Sequence, residues 1–113
     1  QRRMVFTNGS ICHADRVLSA LGITDLFEEV FDIRIAGYQP KPFPEPYRAV
    51  LEVLGAAADH CIMVEDIREN LQTAKRLGMA TVLVGPGETP DFVDSHIPAV
   101  EQIGQALQNW NAA

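Results

Sequence analysis

The run Cys61-Ile62-Met63-Val64 constrains this chain more than any other feature, and Ala80 to Val84 is a second run of the same kind. Both read as strands buried on two faces, which is the condition of strands in a parallel sheet. Between them Leu71, Ala74 and Leu77 recur at helical spacing, and Gly78 stops the helix predicted over 71–77. Strand, helix and strand in that order point to a parallel sheet covered by helices.

The same rhythm runs through the remaining residues. Met4-Val5-Phe6-Thr7 reads as a short strand closed by the turn Asn8-Gly9-Ser10. A helix is predicted over 14–21, with Val17, Leu18 and Leu21 on its apolar face and Gly22 as the C-cap. Leu26 and Phe27 belong to a short helical turn, and Val30 to Ile35 reads as a strand in which Asp32 lies near the start. Pro40, Pro42, Pro44 and Pro46 exclude regular structure over 38–46. A helix follows over 47–54, with Val50, Leu51 and Leu54 in phase and Gly55 at its end. His96-Ile97 is a last short strand, and Ile103, Leu107 and Trp110 form one face of an amphipathic helix over 100–110. The expected fold is therefore α/β: a three-layer, Rossmann-like parallel sheet with helices on both faces. Sheets of this kind bind ligands at the C-terminal ends of their strands.

Composition narrows the function classes. The chain has 113 residues, room for one domain, and its 47% hydrophobic and 21% charged content is that of a globular protein. A formal net charge of −6 argues against nucleic acid and anionic membranes as partners, while leaving a small anionic substrate compatible. No apolar run approaches the roughly 18 to 20 residues of a membrane span. The apolar stretch behind Gln1-Arg2-Arg3 is too short for a signal peptide. Cys12 and Cys61 stand in no metal-like spacing and read as free thiols, so a cytoplasmic location is expected.

Three polar groups stand where such a sheet would place a site. Glu65-Asp66 ends the strand that begins at Cys61. Adjacent carboxylates repel, and a hard cation such as Mg²⁺ would offset that repulsion while keeping waters of its own. The competing structural role is a helix cap, since Asp66 and Glu69 have capping-box spacing. Thr7-Asn8-Gly9 offers a hydroxyl, an amide and backbone N–H groups to a phosphate oxygen, although Asn-Gly is also an ordinary turn. Lys41 lies between Pro40 and Pro42, which restrict the chain around it, and suits a fixed charge aimed at an anion better than a mobile lysine does, although taken alone it reads first as a surface-loop lysine.

In order, the chain reads M-V-F-T-N-G, Q-P-K-P-F-P-E-P-Y and C-I-M-V-E-D-I-R-E-N-L. This set resembles the second, third and fourth motifs of the haloacid dehalogenase-like hydrolases. L-G-I-T-D-L-F over 21–27 and A-K-R-L-G-M-A-T-V-L-V over 74–84 extend the resemblance from Arg3 to Val84. F-T-N-G followed by His13-Ala14 looks closest to the pyrimidine 5′-nucleotidase-like branch. The resemblance implies Mg²⁺-dependent hydrolysis of a phosphate monoester, with a small phosphorylated metabolite such as a nucleotide as substrate. It implies that Thr7 holds a phosphoryl oxygen with Asn8 and Gly9 beside it, that Lys41 neutralises charge, that Glu65 and Asp66 hold Mg²⁺, and that Asn70 supports the metal loop. Such roles suit phosphoryl transfer, which depends on positioning and charge neutralisation.

The family's first motif, Asp-x-Asp with the nucleophile, is not found in these residues, and neither is the helical cap. The expectation is that residues 1–113 are the C-terminal portion of the family's catalytic core, unable to turn over alone. The alternative is a non-catalytic relative that binds an anion or a partner protein. In the family's fold the nucleophile strand lies between the strands ending in Thr7 and in Glu65. Unpaired strand edges are costly. The expected remedies are the missing segment, a strand from another copy, or direct pairing of the two strands, with the first preferred.

Overall fold

The computed structural model describes the backbone of residues 2–112 and the side chains of residues 2–108. It divides into two compact units, Gln1–Leu54 and Gly55–Ala113.

In the first unit, strand β1 (Met4–Phe6) leads through Asn8-Gly9 into helix α1 (Ile11–Leu21). Ser10 starts that helix by accepting the His13 N–H on its hydroxyl, and Gly22 ends it in the left-handed conformation that glycine adopts without strain. Strand β2 (Glu29–Phe31) pairs parallel to β1, with Val5 opposite Val30. Helix α2 (Pro44–Leu54) follows the proline-rich turn. Proline is compatible with a first helical turn, whose N–H groups have no intrahelical acceptor. This is why α2 begins at Pro44 rather than at Tyr47. Ala14, Leu18, Phe31, Tyr47 and Val50 are buried, and the Phe6 and Tyr47 rings meet edge to face at 5.3 Å.

Two further expectations change here. The buried face of α1 is Ala14 and Leu18, while Val17 and Leu21 are exposed. The strand expected over Val30 to Ile35 stops at Phe31, and Ile33–Ala36 forms a 3₁₀ turn. Asp32 causes the break. Its carboxylate accepts the Arg34 N–H at 3.1 Å, a local bond that competes with a strand ladder.

In the second unit, β3 (Ile62–Glu65), β4 (Ala80–Val84) and β5 (Ser95–Ile97) form a parallel sheet in that order. Helix α3 (Arg68–Arg76) crosses from β3 to β4 and buries Asn70, Leu71, Thr73 and Ala74. Helix α4 (Ile103–Ala112) contributes buried Ala106 to a cluster with Val82 and Ile97. The apolar role expected of Trp110 falls outside the described side chains. Strand β4 is buried as expected, but β3 is not covered on both faces, because Val64 is exposed while Met63 is buried. Thr81 escapes an unpaired hydroxyl in the core by donating to the Phe92 carbonyl at 2.7 Å and accepting the Asp94 N–H at 3.0 Å.

The strand order gives β1 and β3 one hydrogen-bonded neighbour each among the described residues.

Candidate functional site

The N-terminal unit builds a loop around Thr7. The Thr7 N–H extends the β1–β2 ladder to the Phe31 carbonyl at 2.9 Å, and the chain then turns. Its hydroxyl oxygen accepts the Gly9 N–H at 3.0 Å, a local turn that leaves the hydroxyl proton to donate elsewhere. Two further N–H groups are engaged as well: Ile11 donates to Asp32 at 3.0 Å and His13 to Ser10 at 3.1 Å. The loop therefore presents the Thr7 hydroxyl more readily than it presents the Gly9 N–H.

Asn8 and Lys41 are 33 residues apart and form a reciprocal pair. The Lys41 N–H donates to the Asn8 side-chain carbonyl at 2.9 Å, and the Asn8 amide donates back to the Lys41 carbonyl at 3.2 Å. Two bonds between one amide and one peptide unit tie the proline-rich turn to the Thr7 loop. Lys41 is only 8% exposed. Its ammonium donates to the Phe6 carbonyl at 2.7 Å and lies 4.6 Å from the centre of the Phe6 ring. A charge this deep requires polar partners, and the carbonyl at the C-terminal end of β1, with the ring face, supplies them.

Asp32 is the member of this group that sequence reasoning missed. It is 7% exposed and receives N–H bonds from Ile11 and Arg34 as well as the Arg34 guanidinium at 3.0 Å. Burial alone would raise its pKa. The Arg34 and Ile11 N–H bonds and the guanidinium outweigh burial and hold the carboxyl below the ordinary carboxylate range. By gripping the first N–H of α1, Asp32 fixes the exit of the Thr7 loop. The available signal was an aspartate two residues before Arg34, directly after an apolar Val-Phe pair, which is an Asx-turn pattern.

The C-terminal unit carries the acidic pair. Glu65 is the last residue of β3, and its carboxylate accepts the N–H groups of Asp66 at 3.2 Å and Ile67 at 3.4 Å. Asp66 is exposed. It does not cap α3: Ile67 holds that position, with no side-chain bond to the helix. Asn70 is buried on the first turns of α3. Among the described residues no group of three or more His, Cys, Asp or Glu side chains is arranged to hold a metal. Two hard oxygen donors still fit Mg²⁺, which takes one or two carboxylates and fills the rest of its octahedron with water and phosphate oxygens.

A family model for haloacid dehalogenase-like hydrolases matches residues 1–78. The chain belongs to the haloacid dehalogenase-like hydrolase family. Phosphoglycolate phosphatase of Rhodospirillum rubrum is 35% identical over 91 residues, covering 80% of this chain and 37% of that protein. Enolase-phosphatase E1 of Frankia alni is 32% identical over 99 residues, covering 84% of this chain and 41% of that protein. The chain thus spans about two-fifths of the length of these family members. The L-2-haloacid dehalogenase of Xanthobacter autotrophicus with chloropropionic acid covalently bound superposes with a TM-score of 0.82 at 20% identity, over 95% of this chain and 55% of that one. A HAD phosphatase from Thermococcus onnurineus gives 0.80 at 22%, over 94% and 50%. These likenesses establish the family's α/β fold of parallel strands flanked by helices. No described helix is long and apolar enough to cross a membrane.

Proposed function

We propose that this chain is part of the catalytic core of a Mg²⁺-dependent phosphate monoester hydrolase, acting in the cytoplasm on a small phosphorylated metabolite such as a nucleotide. The observation that carries the reading is Lys41, a buried cation held at the end of β1 and clamped to the Thr7 loop by Asn8. A lysine ordered at that cost suits a fixed anion better than it suits solvent. In this reading Thr7 donates its hydroxyl to a phosphoryl oxygen, Lys41 neutralises charge, and Asn8 and Gly9 shape the loop. Glu65 and Asp66 would hold Mg²⁺, and Asn70 would support their loop. The ion would supply charge neutralisation on phosphoryl oxygens. The phosphatases among the relatives support the reaction class.

The residues present lack an Asp-x-Asp nucleophile. We therefore propose that they position a phosphate without turning it over, and that the open edge of β1 receives a strand from a preceding segment or from another copy. The test is an assay of p-nitrophenyl phosphate and pyrimidine monophosphates with Mg²⁺. No turnover is expected. Activity that survives repurification and disappears in Asp66→Ala would overturn the expectation. The alternative, a non-catalytic anion- or partner-binding protein, is favoured by the same missing motif. The reading frame separates the two: an upstream Asp-x-Asp strand supports the hydrolase, and a start codon directly before Gln1 supports the alternative.

A further inference from the structure

Arg68 opens α3 two residues after Asp66, and its side chain reaches into the loop that follows β4. One guanidinium nitrogen donates to both the Pro86 and the Glu88 carbonyls at 3.0 Å. For those two carbonyls to face one nitrogen, the residue between them must reverse the chain, and Gly87 does so at φ 102°. A Cβ on Gly87 would stand 2.6 Å from that same nitrogen. The loop is held at its ends too. The His96 ring lies 2.6 Å from the Gly85 carbonyl through Nε2 and 2.6 Å from the Thr89 hydroxyl through Nδ1. Register puts this loop beside the acidic pair, since Glu65 stands opposite Leu83 on the neighbouring strand, two residues before Gly85.

We propose that Arg68 is a positioning residue for the acidic loop. Ile67, at the cap of α3, makes no side-chain bond to the helix, and Asp66 is exposed. The guanidinium of Arg68 fastens the start of α3, directly behind the two carboxylates, to a loop that His96 already holds, and so ties that segment down on its helical side. The inference rests on the reading that Glu65 and Asp66 bind a divalent cation. Its sign distinguishes it from a charge effect. A cationic side chain near a metal site opposes metal binding by repulsion, so removing Arg68 would tighten binding if charge were its main influence. If Arg68 acts by positioning, removing it weakens binding, as losing the groups that orient metal ligands does.

The experiment titrates the full 113-residue chain with Mn²⁺, followed by electron paramagnetic resonance of the free ion, with Mg²⁺ competition and a thermal melt for each variant. Asp66→Asn should abolish the Mn²⁺ site. Arg68→Ala should weaken it by about tenfold or more, and Arg68→Lys, which can still reach a carbonyl, should recover part of the loss. Gly87→Ala keeps the arginine but displaces its guanidinium, and should weaken Mn²⁺ binding in the same direction even if Arg68→Ala does not fold. Unchanged or tighter Mn²⁺ binding in a folded Arg68→Ala or Gly87→Ala chain, with Asp66→Asn still deficient, overturns the positioning role alone. Wild-type chain that binds no Mn²⁺, or binds it equally in Asp66→Asn, overturns the metal reading and the inference with it.

Discussion

In the N-terminal unit the groups around the candidate phosphate loop are a buried lysine, a buried aspartate and the amide of Asn8, each bonded to backbone. At the centre of the C-terminal unit, Leu71, Ala74, Thr81, Val82 and Leu83 have no exposed surface. The candidate acids there lie at the rim of the sheet instead of inside the order. The first unit shapes its site with charge and hydrogen bonds, so site and stability share residues. The second shapes its fold with apolar packing and leaves Asp66 outside it. Substitutions should therefore separate folding from binding in the second unit and couple them in the first.

The largest expected effect is on packing. Leu83→Ala leaves a cavity in a fully buried strand and should cost about 2–5 kcal/mol, read as a shift in urea midpoint. Asp66→Ala should leave that midpoint within about 0.5 kcal/mol, as surface changes do. Equal losses in the two variants would break the contrast inside the second unit.

Next is the binding of inorganic phosphate, read by ³¹P line broadening. Lys41→Met removes a charged donor while keeping an apolar stem of similar length. Hydrogen bonds to charged groups contribute about 1.5–3 kcal/mol, so affinity should fall roughly 10- to 100-fold. Phosphate bound equally well without the ammonium would remove Lys41 from the site.

Acid sensitivity sharpens the comparison, because each unit holds one carboxylate below its ordinary pKa of 3.8. In Asp32 burial is outweighed by the Arg34 and Ile11 N–H bonds and the Arg34 guanidinium. In Asp94 burial is outweighed by Lys75, whose ammonium is 2.7 Å away, and by Thr81. A depressed folded pKa means that the unfolded chain takes up the proton first as pH drops. The stabilisation is complete above 3.8 and is lost as pH falls through the lower folded value. Asp32→Asn should flatten the acid-unfolding limb for amides at the start of α1, and Asp94→Asn should do so for β4 amides. Hydrogen exchange at low pH resolves the two. A limb unchanged in both variants would place the acid sensitivity elsewhere.

A small effect is expected at Arg2 and Glu28 as well, an exposed pair at 3.4 Å with side chains 62% and 54% accessible. Solvent screens such pairs, so Arg2→Ala should change stability by less than about 1 kcal/mol. A larger loss in a chemical melt would show that the first unit depends on its surface charges as well as its buried ones.

The sequence by itself determined the order of strands and helices and the family. Both follow from signals local to a few residues: the apolar run ending in Glu65, the glycine stops at Gly22 and Gly55, and three short stretches that resemble family motifs in their order along the chain. Tertiary structure decided what those residues are bonded to. That Asn8 spends its amide on the Lys41 backbone could not be read from either motif, because the bonds join positions 33 apart. The end of β2 at Phe31 depended on whether Asp32 would bond Arg34 or continue a ladder, and propensity does not rank the two. Which face of α1 is buried also lay beyond periodicity. Val17 and Leu21 share a stripe with Leu18, yet only Leu18 and Ala14 are buried. Periodicity locates an apolar stripe to within one helical position, and only the neighbouring elements determine which part of that stripe they cover.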